Sequence, residues 1–370
     1  MITPEKLQYA LTLALHPEIR KQKRLQLATQ QTIGETLPQP TPAILHWIET
    51  TTKWLEESPH NREVLFPSHP LYPKSLYDLS DCPVILFAQG NLNLLNTPSL
   101  ALVGSRNASK TGLRLAYDFA YDLAKQGWCV VSGLAEGIDG ASHQGALAAH
   151  GPTIAVLGGA LDKLYPKIHT KLAHQIVTQN GLLLSEYPPG TDPRPMFFPQ
   201  RNRIIAGLSE AVLLVEAAKR SGSLITARFA SEMGRLVMAL PGSIHSTHSK
   251  GCHDAIKKGA LLVETVGEIT HELKASLKPE QTKHLKHMQQ QTTQATNPKP
   301  ISATPNTYLD DDLNQILQLL SDSPCHVDDL IQQSNLPCDT ILSALTELEL
   351  EGWVICEAGN RWQRAKRSSC

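Results

Sequence analysis

The residues with the clearest chemical potential in this sequence sit directly after short apolar runs. Gly104-Ser105-Arg106-Asn107-Ala108-Ser109 follows the run Ser99–Val103. Gly104 allows a ligand to approach the backbone closely. Ser105 and Ser109 offer hydroxyls, and a helix opening at once would add free N–H groups. Arg106 offers a planar fork that matches phosphate. The helix that must follow favours a phosphate site over a plain turn with a solvated arginine. Ser132-Gly133-Leu134-Ala135-Glu136-Gly137-Ile138-Asp139 follows the run Trp128–Val131. A dinucleotide enzyme places an acid there for the ribose and G-x-G-x-x-G in its first loop, and this chain has neither. Asp139 and His143 stay open as catalytic groups, against a helix-start acid and a structural histidine.

Two further clusters follow later runs. Pro193-Arg194-Pro195-Met196-Phe197-Phe198-Pro199-Gln200-Arg201-Asn202-Arg203 comes after Leu182–Leu184. Pro199 suits a helix start, which would put Arg201 and Arg203 in a first turn, where the dipole disfavours cations. Either Glu186 and Glu216 or a bound phosphate offsets that charge, and both can hold at once. Arg194, Phe197 and Phe198 combine charge with aromatic faces, as single-strand sites do. One of the two phenylalanines is expected in the core. Ser221-Gly222-Ser223-Leu224-Ile225-Thr226-Ala227 comes after Ala211–Val215 and Glu216. It reads as a second anion nest or as an ordinary capped helix.

The elements that must position these loops follow from periodicity. The runs above, with Thr153–Leu157, Leu236–Leu240 and Ala260–Val263, are almost wholly apolar. Strands covered on both faces look like that. Amphipathic stretches alternate with them, such as the Leu113, Ala116, Ala120 and Leu123 stripe that Gly127 ends. Alternation of this kind predicts an extended Rossmann-like, doubly wound and mostly parallel α/β sheet. In such sheets ligands bind beyond the carboxyl ends of the strands, where these loops lie.

The domain plan is a helical block over 1–70, the α/β domain over 71–270, a polar Gln- and Pro-bearing linker over 271–307 and a small domain over 308–370. Leu7, Leu11 and Leu15, then Ile44, Ile48 and Leu55, mark helices in the first block. Three helices and a hairpin through Trp353 and Trp362 suggest a winged helix in the last. The seven cysteines are scattered and never spaced as C-x2-C, which fits a reducing cytoplasm without structural zinc. No apolar stretch approaches the ~20 residues of a membrane span, and no signal peptide is expected. Between Leu100 and Glu268, 17 Lys and Arg face 13 Asp and Glu, so any anion binding is concentrated at a few loops.

Taken in order, these loops resemble one family: DprA, also called Smf, the DNA-processing protein of bacteria. The matching stretches are Gly104-Ser105-Arg106, Ser132 to Asp139, Phe198 to Ser209, Ser221 to Ala227 and Leu240-Pro241-Gly242-Ser243. The resemblance runs strongly over about Tyr72 to Ile269. It implies a homodimer that binds single-stranded DNA and places the recombinase RecA on it during natural transformation. It implies no catalysis, no cofactor and no metal. The backbone-gripping arginine would be Arg106, with Arg194 and Phe197 on the extended loop. The expected DNA contacts are then Gly104, Ser105, Arg106, Ser109, Gly133, Arg194, Phe197, Arg201, Asn202, Arg203, Ser221, Gly222, Ser223 and Thr226. Lys250 to Ala260 resembles the region near the family's dimer face, and the N-terminal block resembles a sterile-alpha-motif-like domain.

Two expectations stand beside that reading. A nucleotide-processing enzyme of the phosphoribohydrolase type is the alternative on the same fold. Its usual Pro-Gly-Gly-x-Gly-Thr loop is absent, because the comparable stretch reads Arg220-Ser221-Gly222-Ser223-Leu224. The C-terminal domain carries acids from Asp310 to Glu357, and its only cations are Arg361, Arg364, Lys366 and Arg367. Its candidate recognition helix, about Pro337 to Glu351, has no Lys or Arg. Phosphate contacts need cations, so this winged helix is expected not to bind DNA by itself.

Overall fold

The computed structural model describes residues 2–29, 37–58, 60–277, 285, 311–320, 324–334, 336–350, 353–357 and 361–364. Contacts divide the chain into two units, 1–296 and 297–370.

The first unit is built on a nine-stranded sheet in the order β1-β2-β6-β5-β4-β3-β7-β8-β9. Its strands are β1 (Arg62–Leu65), β2 (Leu86–Gly90), β3 (Ser99–Val103), β4 (Cys129–Ser132), β5 (Thr153–Leu157), β6 (Leu182–Ser185), β7 (Ala211–Leu214), β8 (Leu236–Ala239) and β9 (Leu261–Leu262). Strands β3 to β9 pair in parallel. β1 and β2 add an antiparallel edge beside β6. Every residue of β3, β4, β5, β6 and β7 is buried, as continuous apolar runs require when both faces are covered.

The crossovers are α4 (Lys110–Lys125), α5 (Ile138–Ala148), α6 (Thr170–Thr178), α7 (Phe197–Leu208), α8 (Ser223–Glu232), α9 (Lys250–Lys257) and α10 (Val266–Ser276). α4 buries Ala116, Ala120 and Leu123 along its predicted stripe, and Gly127 closes it at φ 86°. Before the sheet come α1 (Pro4–Leu15), α2 (Lys21–Thr29) and α3 (Pro42–Glu57). These helices have no core of their own. Leu7, Leu11, Ile44 and Trp54 share one cluster with Phe87, Leu134, Leu157, Leu172 and Leu183 from the sheet side. A second cluster, with Ala101, Val131, Ile205 and Val212, fills the opposite face. The predicted linker falls mostly outside the described residues, and α10 continues to Ser276, past its expected start.

The second unit holds α11 (Asp311–Leu319), β10 (Cys325–His326), α12 (Val327–Ser334), α13 (Cys338–Leu350), β11 (Val354–Glu357) and β12 (Arg361–Arg364). Its strands form a small antiparallel sheet in the order β10-β12-β11. Leu313, Ile316, Leu330, Ile341, Leu345, Leu348 and Trp362 make its core. This is the winged-helix arrangement expected from the sequence.

Candidate nucleic-acid interface

β3 is the first strand of the doubly wound core, and the chain runs from it outward in both directions, toward β4 on one side and β7 on the other. A cleft is expected where the strand order reverses, because the loops after β3 and β7 lead to opposite faces. A cleft of about 470 Å³ lies there, lined among others by Gly104, Ser105, Arg106, Asn107, Asp139, Phe198, Arg201, Asn202, Arg220, Ser221, Gly222, Ser223 and Thr226. The loops singled out in the sequence therefore converge, although Gly104 and Thr226 are 122 residues apart.

The loop after β3 is held from below by Glu216, which follows β7. Its carbonyl accepts from Ser105 N–H at 2.7 Å. Its carboxylate accepts from Ser109 N–H at 2.8 Å and from Ser109 Oγ at 2.7 Å. Ser109 in turn caps α4 by accepting from Gly112 N–H at 3.0 Å. Ser109 thus serves the loop and lies outside the cleft lining. Gly104 is also required from inside. A Cβ there would stand 2.5 Å from Ile138 Cγ1 and 2.7 Å from the Glu216 carbonyl.

With the loop fixed, Arg106 projects into solvent and its guanidinium lies 5.3 Å from the centre of the Phe198 ring. Arg220 is exposed as well. Neither makes an ion pair among the described residues. On the Arg220 side the cleft meets the start of α8. Ser221 Oγ and Ser223 Oγ share a hydrogen bond at 2.7 Å, and Ser223 N–H points to Ser221 Oγ at 3.4 Å. Leu224 and Ile225 N–H donate to the Ser221 and Gly222 carbonyls at 3.2 and 3.1 Å, so what attracts an anion here is the positive end of the helix dipole. Asn202 reaches the same turn and donates to the Gly222 carbonyl at 3.3 Å.

The floor is different. Arg201 is only 4% exposed. Its Nη1 donates to the Gly133 carbonyl at 2.5 Å and also to the Val156 carbonyl. Gly133 is a close-approach position: a Cβ would collide with the Arg201 guanidinium. Gly133 N–H donates to the Asp139 carboxylate at 3.1 Å. Burial lowers the Arg201 guanidinium to about 10, with Asp139 pulling the other way. Burial pushes the Asp139 carboxyl up, against the pull of Arg201 and of backbone N–H groups. Gly133, Asp139 and Arg201 form an internal brace.

Arg203 is 6% exposed and lies outside the cleft. It donates to both Glu186 oxygens at 2.7 and 2.8 Å and stands 3.8 Å from Asp81. Burial alone would lower its guanidinium, but these carboxylates hold it above the ordinary value. Of the two acids proposed from sequence to balance the arginines, Glu186 does so and Glu216 is committed to Ser109.

Three expectations are corrected here. α7 starts at Phe197, not at Pro199, so Arg201 and Arg203 fall beyond the first turn, where the dipole is weak. Both arginines are spent on protein partners, and neither remains free to take a phosphate. Neither Phe197 nor Phe198 is a core residue, since both are half-buried. Phe197 stacks on Tyr187 at 4.0 Å, with Arg194 5.9 Å from its ring centre. That group sits beside the cleft, outside its lining. His143 is fully buried, with Nδ1 2.8 Å from Thr153 Oγ1, and is structural. Asn107, Phe198 and Arg220 line the cleft but are not among the contacts expected from sequence, although Phe198 reads with Arg194 and Phe197 as a charged and aromatic combination. The signal for Arg220 was available, as it directly precedes the Ser221 turn.

Fold and cleft together define a doubly wound α/β protein with a cation-edged cleft at its topological switch point, joined to a winged helix. The chain belongs to the DNA recombination-mediator protein A family, whose model matches residues 63–274. The DprA winged helix domain matches residues 298–360. Protein Smf of Escherichia coli is 40% identical over 315 residues, covering 84% of this chain and 79% of that protein. DNA processing protein DprA of Streptococcus pneumoniae is 46% identical over 211 residues, 56% of this chain and 74% of that protein. The solved structure of the latter superposes with a TM-score of 0.61 at 37% identity, covering 73% of this chain and 98% of that one. A Helicobacter pylori DNA processing protein A, whose structure addresses its single-stranded DNA binding mode, superposes with a TM-score of 0.53 at 30% identity and covers 59% of this chain and 97% of that one.

Proposed function

We propose that the switch-point cleft holds single-stranded DNA by its backbone phosphates and that the chain does so without catalysis. One observation carries the reading: Arg106 and Arg220, from separate loops, are exposed beside a helix start and unpaired among the described residues. Cations with no protein partner are free to replace the counterions of a polyanion. Ser105, Asn202, Ser221, Gly222 and Ser223 supply neutral contacts around them, with Gly104 and Thr226 shaping the walls. Arg194 and Phe197 extend the site beyond the cleft, while Gly133, Ser109, Arg201 and Arg203 build it from behind. Contacts of this kind carry no base code, so little sequence preference follows.

A strand held by its backbone leaves its bases open to pairing, which is what a recombination mediator must offer. The resemblance to the family supports extending the reading to a cytoplasmic homodimer that delivers the strand to RecA. No helix among the described residues is long and apolar enough to cross a membrane.

Binding of oligo-dT in a gel shift at two salt concentrations tests the first step. Affinity should fall with a logarithmic slope of about −0.7 per phosphate held. A salt-independent complex, or none, would overturn the reading. The enzymatic alternative draws on Asp139, an acid of raised pKa at the cleft floor. Its carboxylate is engaged by Gly133 and faced by Arg201, so incubation with AMP should release no free adenine. RecA filament formation on single strands, with and without the protein, tests delivery.

A further inference from the structure

Phe198, half-buried, links the cleft to a neighbouring aromatic ring. On one side it lines the cleft, under Arg106. On the other its ring centre lies 5.6 Å from that of Tyr165, at an interplanar angle of 46°. Tyr165 belongs to the loop between β5 and α6 and is 50% exposed. It lines a separate groove of about 720 Å³ with Leu161, Lys167, His174 and Pro193. Phe198 packs closely on the chain at Gly158, where a Cβ would stand 2.7 Å from Phe198 Cδ1.

The charges along this second groove are not balanced. Asp162 accepts from Gly190 N–H at 2.9 Å, and Asp192 pairs with Lys163 at 2.7 Å. Both acids are engaged within the protein. Lys167 is exposed and makes no ion pair among the described residues. An exposed ring near a free cation, in contact with a ring that lines the cleft, is the arrangement on which unpaired bases stack while the backbone is tracked.

We infer that Tyr165 and Lys167 form a second subsite, in which the strand leaving the cleft past Phe198 stacks a base on Tyr165 and sets a phosphate against Lys167. The inference rests on the single-strand reading of the cleft and extends its footprint. Short strands fill the cleft alone, and longer ones reach the groove.

The test compares dT oligonucleotides of about 4 and about 16 nucleotides on the full chain, with wild type, Tyr165→Ala, Tyr165→Phe, Lys167→Gln and Arg106→Ala. Tyr165→Ala should weaken the long oligonucleotide about fivefold to tenfold and leave the short one unchanged, and Tyr165→Phe should bind as wild type. Lys167→Gln should reduce the logarithmic salt slope for the long oligonucleotide by about 0.7 and not for the short one. Long-strand binding by Tyr165→Ala equal to wild type, or equal losses at both lengths, would overturn the subsite. If Tyr165→Ala does not fold, the salt slope of Lys167→Gln decides in the same way. Arg106→Ala separates the two claims, because it should weaken both lengths. No loss there sinks the cleft reading itself.

Discussion

The cleft after β3 and the α13 helix of the C-terminal domain are both shapes on which nucleic acid docks in other proteins, yet they are equipped oppositely. The cleft presents Arg106 and Arg220 to solvent, and its one lining carboxylate, Asp139, is buried and occupied. α13 contains no Lys or Arg, and acids precede it at Asp328 and Asp329. Of the domain's later arginines, Arg364 donates to the Leu317 carbonyl at 2.6 Å and is already used. The fold supplies a place to bind, and the number of unspent cations at that place decides what is bound. The same distinction holds inside the first unit, where Arg201 and Arg203 hold the protein together while Arg106 faces solvent.

Removing a spent cation should therefore act on stability, and removing a free one on affinity. The largest effect is expected for Arg203→Ala. It removes the bidentate donor from Glu186 and should cost about 3–5 kcal/mol in urea unfolding. If stability were unchanged and DNA affinity lost, Arg203 would be a ligand and the division would break. Arg106→Ala comes next. Loss of a charged hydrogen-bonding group is worth about 1.5–3 kcal/mol, so single-strand affinity should fall roughly tenfold to hundredfold with the melting temperature unchanged.

Acid should weaken the first unit. Burial lowers His143 to about 3, so it is neutral in the folded first unit and protonates on unfolding below its ordinary value. The unfolded state then binds the extra proton, and stability falls as pH falls. Between about pH 6.5 and about pH 5 the loss should be about 2 kcal/mol, read from urea midpoints of the first unit. A flat profile for the first unit would show that His143 is already protonated when folded. The smallest effect is expected for ending the chain at residue 296, where the units divide. Single-strand affinity should change less than about twofold, since no cation on α13 is lost. A larger drop would show that the acidic domain contributes to binding after all.

Much of this molecule was legible before folding. A strand buried on both faces must be apolar throughout, so the runs at Ser99–Val103 and Thr153–Leu157 gave their strands to the residue. The loops that follow them carry small and cationic residues, and the doubly wound topology brings such loops to one edge. The antiparallel partnership of β1 with β2 was less visible, because Arg62–Leu65 is short and only half apolar. The helical N-terminal block read as a separate piece for a similar reason. Periodicity shows that a helix has an apolar face and does not show which surface covers it.

Sequence by itself determined the positions of the parallel strands, the chemistry of the loops and the acidity of the last domain. These depend on residue type and on spacing along the chain. Only the tertiary structure decided which arginines are free. Arg201 finds the Gly133 carbonyl 68 residues away, and Glu216 finds Ser109 across 107. A charge is neutralised by what lies near it in space, and that neighbour is set by the packing of distant segments.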